Sequence, residues 1–250
     1  MAAADPVGKG IFVTGTDTGV GKTLVTAALA LFLRRRGVDV GVMKPVESGV
    51  DEPAGLGPDA RLLQWAAASE DEPELVSPVR LKAPLAPSTA AKLEGVTIEM
   101  DKLVAAAREL GRRHEFLLIE GAGGLMVPLA GGLLMADLVS ELALPLLVVA
   151  RPNLGTINHT LLTTFAAQAM GISLAGFMIN NMPADPDAAC KSAPESLVTL
   201  ASADLLGVLD QEPGDDQEKV TALADQIALL HSLPWLLMKF ELRRLIQRPA

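Results

Sequence analysis

Gly10-Ile11-Phe12-Val13-Thr14-Gly15-Thr16-Asp17-Thr18-Gly19-Val20-Gly21-Lys22-Thr23 reads as a short strand that breaks into a glycine-rich turn and re-emerges as a helix. The β-branched run ends at Thr14. From Lys22 to Arg36 the pattern is helical and rich in Ala and Leu, and it closes on three arginines before Gly37, a sound helix stop. A turn of this kind suits phosphate. Glycines let successive backbone N–H groups face phosphate oxygens, and the helix N-terminus adds its positive end. Thr18, Gly19, Val20 and Gly21 form the cradle, Lys22 reaches the terminal phosphates, and the Thr23 hydroxyl is a Mg²⁺ ligand. The spacing is irregular: Gly15 and Gly21 enclose five residues where four are usual, and Thr16 stands at the normal first glycine. The bland alternative, a strand–helix turn with a surface lysine, is disfavoured by the preceding strand and the Lys-Thr pair.

Working outward, Val38 to Met43 predicts a second strand, and Pro53 to Pro58 a loop ahead of a helix from Asp59 to Ala68. Further helices are expected over Ser88–Leu93, Met100–Leu110 and about Thr156–Met170. Strands are expected over Phe116–Ile119, ending at Glu120, and over Leu146–Ala150 and Leu174–Ile179, with Asn180 opening a polar loop. Strands alternating with helices imply an α/β fold, a mostly parallel sheet with helices on both faces, of the P-loop NTPase type. One domain spanning residues 1–250 is expected, with residues from about 216 to 250 as a C-terminal extension. Ligands of such sheets bind beyond the carboxyl ends of the strands, so the polar residues that follow each strand are the candidates.

Bulk composition narrows the partners. The formal charge is 21 − 30 = −9 and the chain contains no Tyr, two Trp and six Phe. An acidic chain poor in aromatics is unsuited to nucleic-acid backbones, to base-stacking platforms and to anionic membranes. The single cysteine, Cys190, excludes an intramolecular disulfide and a multi-cysteine zinc site. With no signal-peptide pattern and no apolar run of spanning length, a cytoplasmic location is the expectation. The amphipathic segment from His231 to Ala250, with Arg243, Arg244 and Arg248, is read as a packing or subunit-contact element rather than a membrane-surface helix.

Each strand end carries a residue with chemistry. Lys44 should project into the same crevice as Lys22, and two convergent cations suit a polyphosphate or a carbamate gaining charge. Glu120, at the end of the apolar "FLLIE" run, faces Thr23 and fits Mg²⁺, which takes one or two carboxylates with phosphate oxygens and water. Asp59 opens a helix and by itself reads as an N-cap. Asn180 offers a donor and an acceptor that match an adenine edge, with Asn181 as the ordinary turn asparagine beside it.

The segment "VTGTDTGVGKT" resembles the dethiobiotin synthetases, and further matches follow in order: "KPVESG", "IEGAGGLMVPL", "LGTINHT" and "INN". Together they cover Gly10 to about Asn181. The resemblance implies a Mg²⁺- and ATP-dependent cyclo-ligase of biotin biosynthesis that closes a ureido ring on 7,8-diaminononanoate with CO₂. It implies Lys22 and Lys44 as catalytic, with Thr18, Lys44 and Ser48 at the substrate. Leu154, Gly155 and Asn158 would reach the substrate carboxylate from the neighbouring subunit of a homodimer, and Thr23, Asp59 and Glu120 would hold the metal. The resemblance also implies Asn180 at the adenine. Ser88 stands where relatives often carry His, and Asp210 where many carry a Pro that walls the base. The competing readings are a regulatory P-loop ATPase or a degenerate ATP-binding protein. A switch ATPase of the septum-site or partition kind would carry a further Lys early in the loop, and none lies between Thr16 and Thr18.

Overall fold

The computed structural model describes residues 7–246; Arg248, and the outer ends of the 1–250 span and of the His231–Ala250 segment, lie outside the described residues. The chain opens with β1 (Gly10–Gly15), α1 (Lys22–Arg35), β2 (Val40–Met43), β3 (Val46–Ser48) and α2 (Pro58–Ala67). Then come α3 (Pro73–Val76), β4 (Val79–Leu81), α4 (Pro87–Glu94), α5 (Met100–Arg113) and β5 (Phe116–Gly124). A small hairpin, β6 (Pro128–Ala130) and β7 (Leu133–Leu134), leads into α6 (Met135–Leu142), β8 (Leu146–Ala150) and α7 (Thr156–Ala169). The last part holds β9 (Leu174–Met182), α8 (Ala188–Leu200), β10 (Leu205–Asp210), α9 (Asp216–Leu229), α10 (Leu233–Lys239) and a 3₁₀ turn at Arg243–Leu245.

Six strands form one sheet in the order β10-β9-β8-β1-β5-β2, and every pairing in it is parallel. The expected α/β architecture is therefore present. Side-chain alternation divides the sheet into two faces. Ile11, Val13, Phe116 and Leu118 join one buried cluster with α1, α2, α9 and α10. Phe12, Leu117, Ile119 and Val148 join the other, with α5, α6 and α7. Burial of each such side chain stabilises the fold by roughly 1.5–3 kcal/mol, and coverage of both faces explains why these strands read as continuous apolar runs. β2 and β5 lie to one side of β1, with β5 inserted between it and the edge strand β2, and β8, β9 and β10 lie to the other. The strand order therefore reverses at β1, and its carboxyl end is where such sheets bind ligands.

Three features differ from the sequence reading, the first being that β5 does not end at Glu120 but runs on to Gly124. Asn180 does not open a loop: β9 continues to Met182, because β10 pairs with it through Val208–Ile179 and Asp210–Met182. That partner strand was not expected, and it extends the sheet by one edge. Asp59 does not open or cap its helix; Gly57 is the N-cap, Pro58 takes the first helical position, and Asp59 follows within the first turn. The C-terminal segment packs into the core, with Leu236, Leu237, Phe240, Leu242 and Leu245 buried and Phe240 stacked on Phe116 at 5.5 Å. No single described helix is long and apolar enough to cross a membrane. The bent pair α9–α10 has the length and hydropathy, but its apolar residues Val220, Leu223, Ile227 and Leu236 are buried in the fold.

Candidate active site

Between β1 and α1 the chain turns through Gly19 (φ 74°) and Gly21 (φ 88°), left-handed conformations that glycine adopts without strain. Gly21 is the N-cap of α1, and a Cβ there would collide with the Asn180 amide. The loop is anchored to the sheet by Thr16 N–H donating to the Val149 carbonyl at 2.9 Å. Lys22 curls back over it, and its Nζ donates to the Asp17 carbonyl at 3.2 Å. Burial pushes the Lys22 ammonium below its ordinary value, against the pull of Glu120.

A cavity of about 810 Å³ opens at the carboxyl ends of the strands, over this loop. Thr18, Gly19, Gly21, Lys22 and Thr23 line one side; Lys44, Ser48, Asp59 and Glu120 line the other. The expectation that the two lysines share one crevice is met. Lys44 lies in a deeper arrangement than sequence suggested: its Nζ sits 2.8 Å from Asp59 Oδ2 and 2.5 Å from Glu120 Oε1. The Thr23 hydroxyl donates to the same Glu120 oxygen at 2.8 Å. Glu120 Oε2 is buried with no partner among the described residues, as is the Ser48 hydroxyl.

Electrostatics follow from burial and these pairings. Despite full burial, Glu120 and Asp59 hold the Lys44 ammonium above the ordinary lysine value. Burial pushes the Glu120 carboxyl upward against the attraction of Lys44, while Asp59, though also desolvated, is held low by Lys44 and the Thr23 hydroxyl. No described group of three or more His, Cys, Asp or Glu converges as a metal cluster. The donor set of two carboxylates and a threonine hydroxyl beside a phosphate loop suits Mg²⁺, and the unpartnered Glu120 Oε2 is an acceptor free for it.

Other expected residues lie apart. Val20 is buried under the loop, and its carbonyl accepts from the Asn180 Nδ2 at 3.1 Å. Asn180 itself is fully buried, with Oδ1 unpartnered among the described residues, whereas Asn181 lines the cavity. Leu154, Gly155 and Asn158 stand at the start of α7, exposed to solvent, and do not line this cavity. Ser88 is likewise absent from its wall, which is made nearby by Pro84, Leu85, Ala86 and Pro87. Sequence reasoning missed Glu47, buried beside Asp59, and the apolar wall of Val46, Leu62 and Leu85. Glu47 stood inside the quoted "KPVESG" segment, but nothing local marked it as buried.

Comparison with known proteins shows the family. Residues 9–219 match the AAA domain family. The chain is 45% identical over 202 residues to the ATP-dependent dethiobiotin synthetase of Bacillus licheniformis, covering 80% of this chain and 85% of that protein. This chain belongs to the dethiobiotin synthetase family. The relative from Bacillus subtilis subsp. natto is 42% identical, covering 80% of this chain and 86% of its own. That from Anaeromyxobacter dehalogenans is 41% identical, covering 88% and 97%. Among solved structures, the MinD cell division protein of Aquifex aeolicus aligns with a TM-score of 0.55 at 17% identity, covering 97% and 98% of the two chains. A ParA family ATPase from Chlorobium tepidum aligns at 0.56 and 13% identity, covering 96% and 99%. At those identities the likeness concerns the fold alone.

Proposed function

We propose that this chain is an ATP-dependent dethiobiotin synthetase of biotin biosynthesis, acting on 7,8-diaminononanoate, CO₂ and ATP. The observation that carries the reading is Lys44 Nζ, buried between Asp59 and Glu120 in the cavity that also holds Lys22 and Thr23. One amine of the substrate adds to CO₂ and loses a proton, giving a carbamate. A carbamate oxygen attacks the γ-phosphorus of ATP, and ADP leaves. The second amine then attacks the carbonyl carbon of the mixed anhydride, loses a proton and expels phosphate, which closes the ring. The substrate supplies both nucleophiles, so the protein needs none; its part is positioning and charge stabilisation.

Lys22 and the N–H groups of Thr18 to Lys22 bind the phosphates. Lys44 neutralises the carbamate and then the phosphate leaving from it, and Ser48 orients the substrate. Thr23, Asp59 and Glu120 would hold Mg²⁺, which when bound neutralises charge on the phosphate oxygens. Asn180 Oδ1 is the acceptor proposed for the adenine amino group.

A homodimer completes this reading. Asn158, Leu162 and Phe165 recur at i, i+4 and i+7 on one face of α7, and Leu162 and Phe165 are 58% and 69% exposed. Apolar exposure of that size on the helix that carries Asn158 supports a subunit contact there, with Leu154, Gly155 and Asn158 delivered to the partner's cavity. ATP as co-substrate fits a cytoplasmic location, which cell fractionation would check.

The test is product formation. Purified protein is incubated with diaminononanoate, labelled bicarbonate, ATP and Mg²⁺, and labelled dethiobiotin is sought by mass spectrometry. Product dependent on all four components is expected. ATP hydrolysis without product would overturn the reading in favour of a switch ATPase.

A further inference from the structure

Glu47 lies in β3, in register with Arg80 of β4, and is 2% exposed. Its carboxylate is spent on one helix end. Oε1 accepts from the Asp59 N–H at 2.8 Å and Oε2 accepts from the Ala60 N–H at 3.3 Å. Both donors belong to the first turn of α2, whose N–H groups have no intrahelical partner and whose dipole favours an anion. Gly57 seals the arrangement, because a Cβ there would overlap the Glu47 carboxylate. The helix start therefore approaches β3 as closely as backbone allows.

What that docking fixes is the carboxylate of Asp59. With its own N–H tied to Glu47, Asp59 turns its side chain to Lys44, 2.8 Å away, and Lys44 in turn meets Glu120. We infer that Glu47 is a positioning residue, which clamps the N-terminus of α2 to β3 so that the Asp59 carboxylate is held at the Lys44–Glu120 pair. The inference rests on the reading of Asp59 as a Mg²⁺-side carboxylate. A residue that only capped α2 would affect stability alone, whereas a positioning residue also changes how much Mg²⁺ the site requires.

The experiment compares full-length Glu47→Ala, Glu47→Gln and Asp59→Asn with the unaltered chain. Two quantities are titrated against Mg²⁺: the rate of ring closure and the binding of a fluorescent ATP analogue. Thermal denaturation is followed in parallel. Loss of a residue that orients a metal ligand weakens metal affinity by about tenfold or more. Glu47→Ala should therefore raise the half-saturating Mg²⁺ concentration by about tenfold in both titrations, in the direction of Asp59→Asn, with kcat largely restored at saturating Mg²⁺. Glu47→Gln should fall between, since its amide oxygen still accepts one of the two N–H groups. If Glu47→Ala does not fold, Glu47→Gln and Glu47→Asp carry the same comparison. A Mg²⁺ requirement shifted by Asp59→Asn but unmoved by every Glu47 variant would overturn the inference and leave the metal reading standing. A requirement unmoved by Asp59→Asn would sink the metal reading and the inference with it.

Discussion

Lys44 Nζ lies 2.5 Å from Glu120 Oε1, and neither side chain is more than 5% exposed. A buried charge whose partner is removed is left uncompensated, at a cost of about 3–5 kcal/mol, while removal of both charges is close to neutral. Lys44→Met should thus lose both activity and stability. Ring closure is expected to fall roughly 10²–10³-fold, the usual loss when one donor to a developing anion is deleted. The double variant Lys44→Met/Glu120→Gln should recover most of the stability in urea denaturation and none of the ring closure. Recovery of activity in the double variant would mean that Lys44 serves only as a counter-ion.

The α7 face predicts shared sites. Asn158→Ala removes a group proposed to act in the neighbouring subunit, and Lys44→Met disables the cavity of its own chain. If each site combines both chains, mixing the two inactive variants should restore ring closure that neither has alone. Phe165→Asp, which charges a side chain 69% exposed in the single chain, should shift the sedimentation velocity to that of a monomer. Independent monomers would give no restoration on mixing.

The C-terminal segment is predicted to be part of the core. Phe240 is 2% exposed and stacks on Phe116 at an interplanar angle of 22°. Phe240→Ala should cost about 3–5 kcal/mol, as large-to-small aromatic changes in cores do. Chemical denaturation followed by far-ultraviolet circular dichroism reads this directly. A change below about 1 kcal/mol would mean the segment is only draped over the surface.

Why some of this was legible in the sequence and some was not is a matter of range. The strand–glycine–helix succession around Gly15 to Thr23 is local chemistry and reads directly, as does the apolar run into Glu120, but the glycines that carry β5 on to Gly124 do not look like strand. Lys44 follows β2 and Glu120 closes the apolar run of β5, in register with Val13 of β1, and parallel strands bring both toward one edge of the sheet. Glu47 was not found, since a glutamate between Val46 and Ser48 reads as solvated until the helix that begins at Pro58 docks on it. Asn180 read as the start of a loop because asparagine disfavours strands; the pairing of its neighbours Ile179 and Met182 with β10 is a long-range fact that overrides that preference. The α7 residues carry no signal of what faces them within one chain.

At the opposite end of the sheet, His114 gives a pH dependence separate from the site. Its Nδ1 lies 2.8 Å from Asp39 and its Nε2 2.7 Å from Asp71, so both ring nitrogens face carboxylates. Arg113 pairs with Asp71, Glu72 and Glu109 beside it, and Ser69 also bonds Asp71. Although partial burial opposes the charge, hydrogen bonds to Asp39 and Asp71 raise the His114 imidazolium above its ordinary value of 6.5. A raised folded value means that the folded chain binds the proton more tightly than the unfolded one. The stabilisation is therefore fully present below the unfolded value of about 6.5 and is lost as pH rises through the higher folded value. His114→Gln should accordingly destabilise the protein more at about pH 6 than at about pH 9, with ring closure at saturating substrate unchanged. Urea denaturation at both pH values checks this, and a nuclear magnetic resonance titration of the ring proton should give a value above that of a model histidine. A destabilisation that is the same at both pH values would assign His114 a packing role over Gly41 in place of the ion pair.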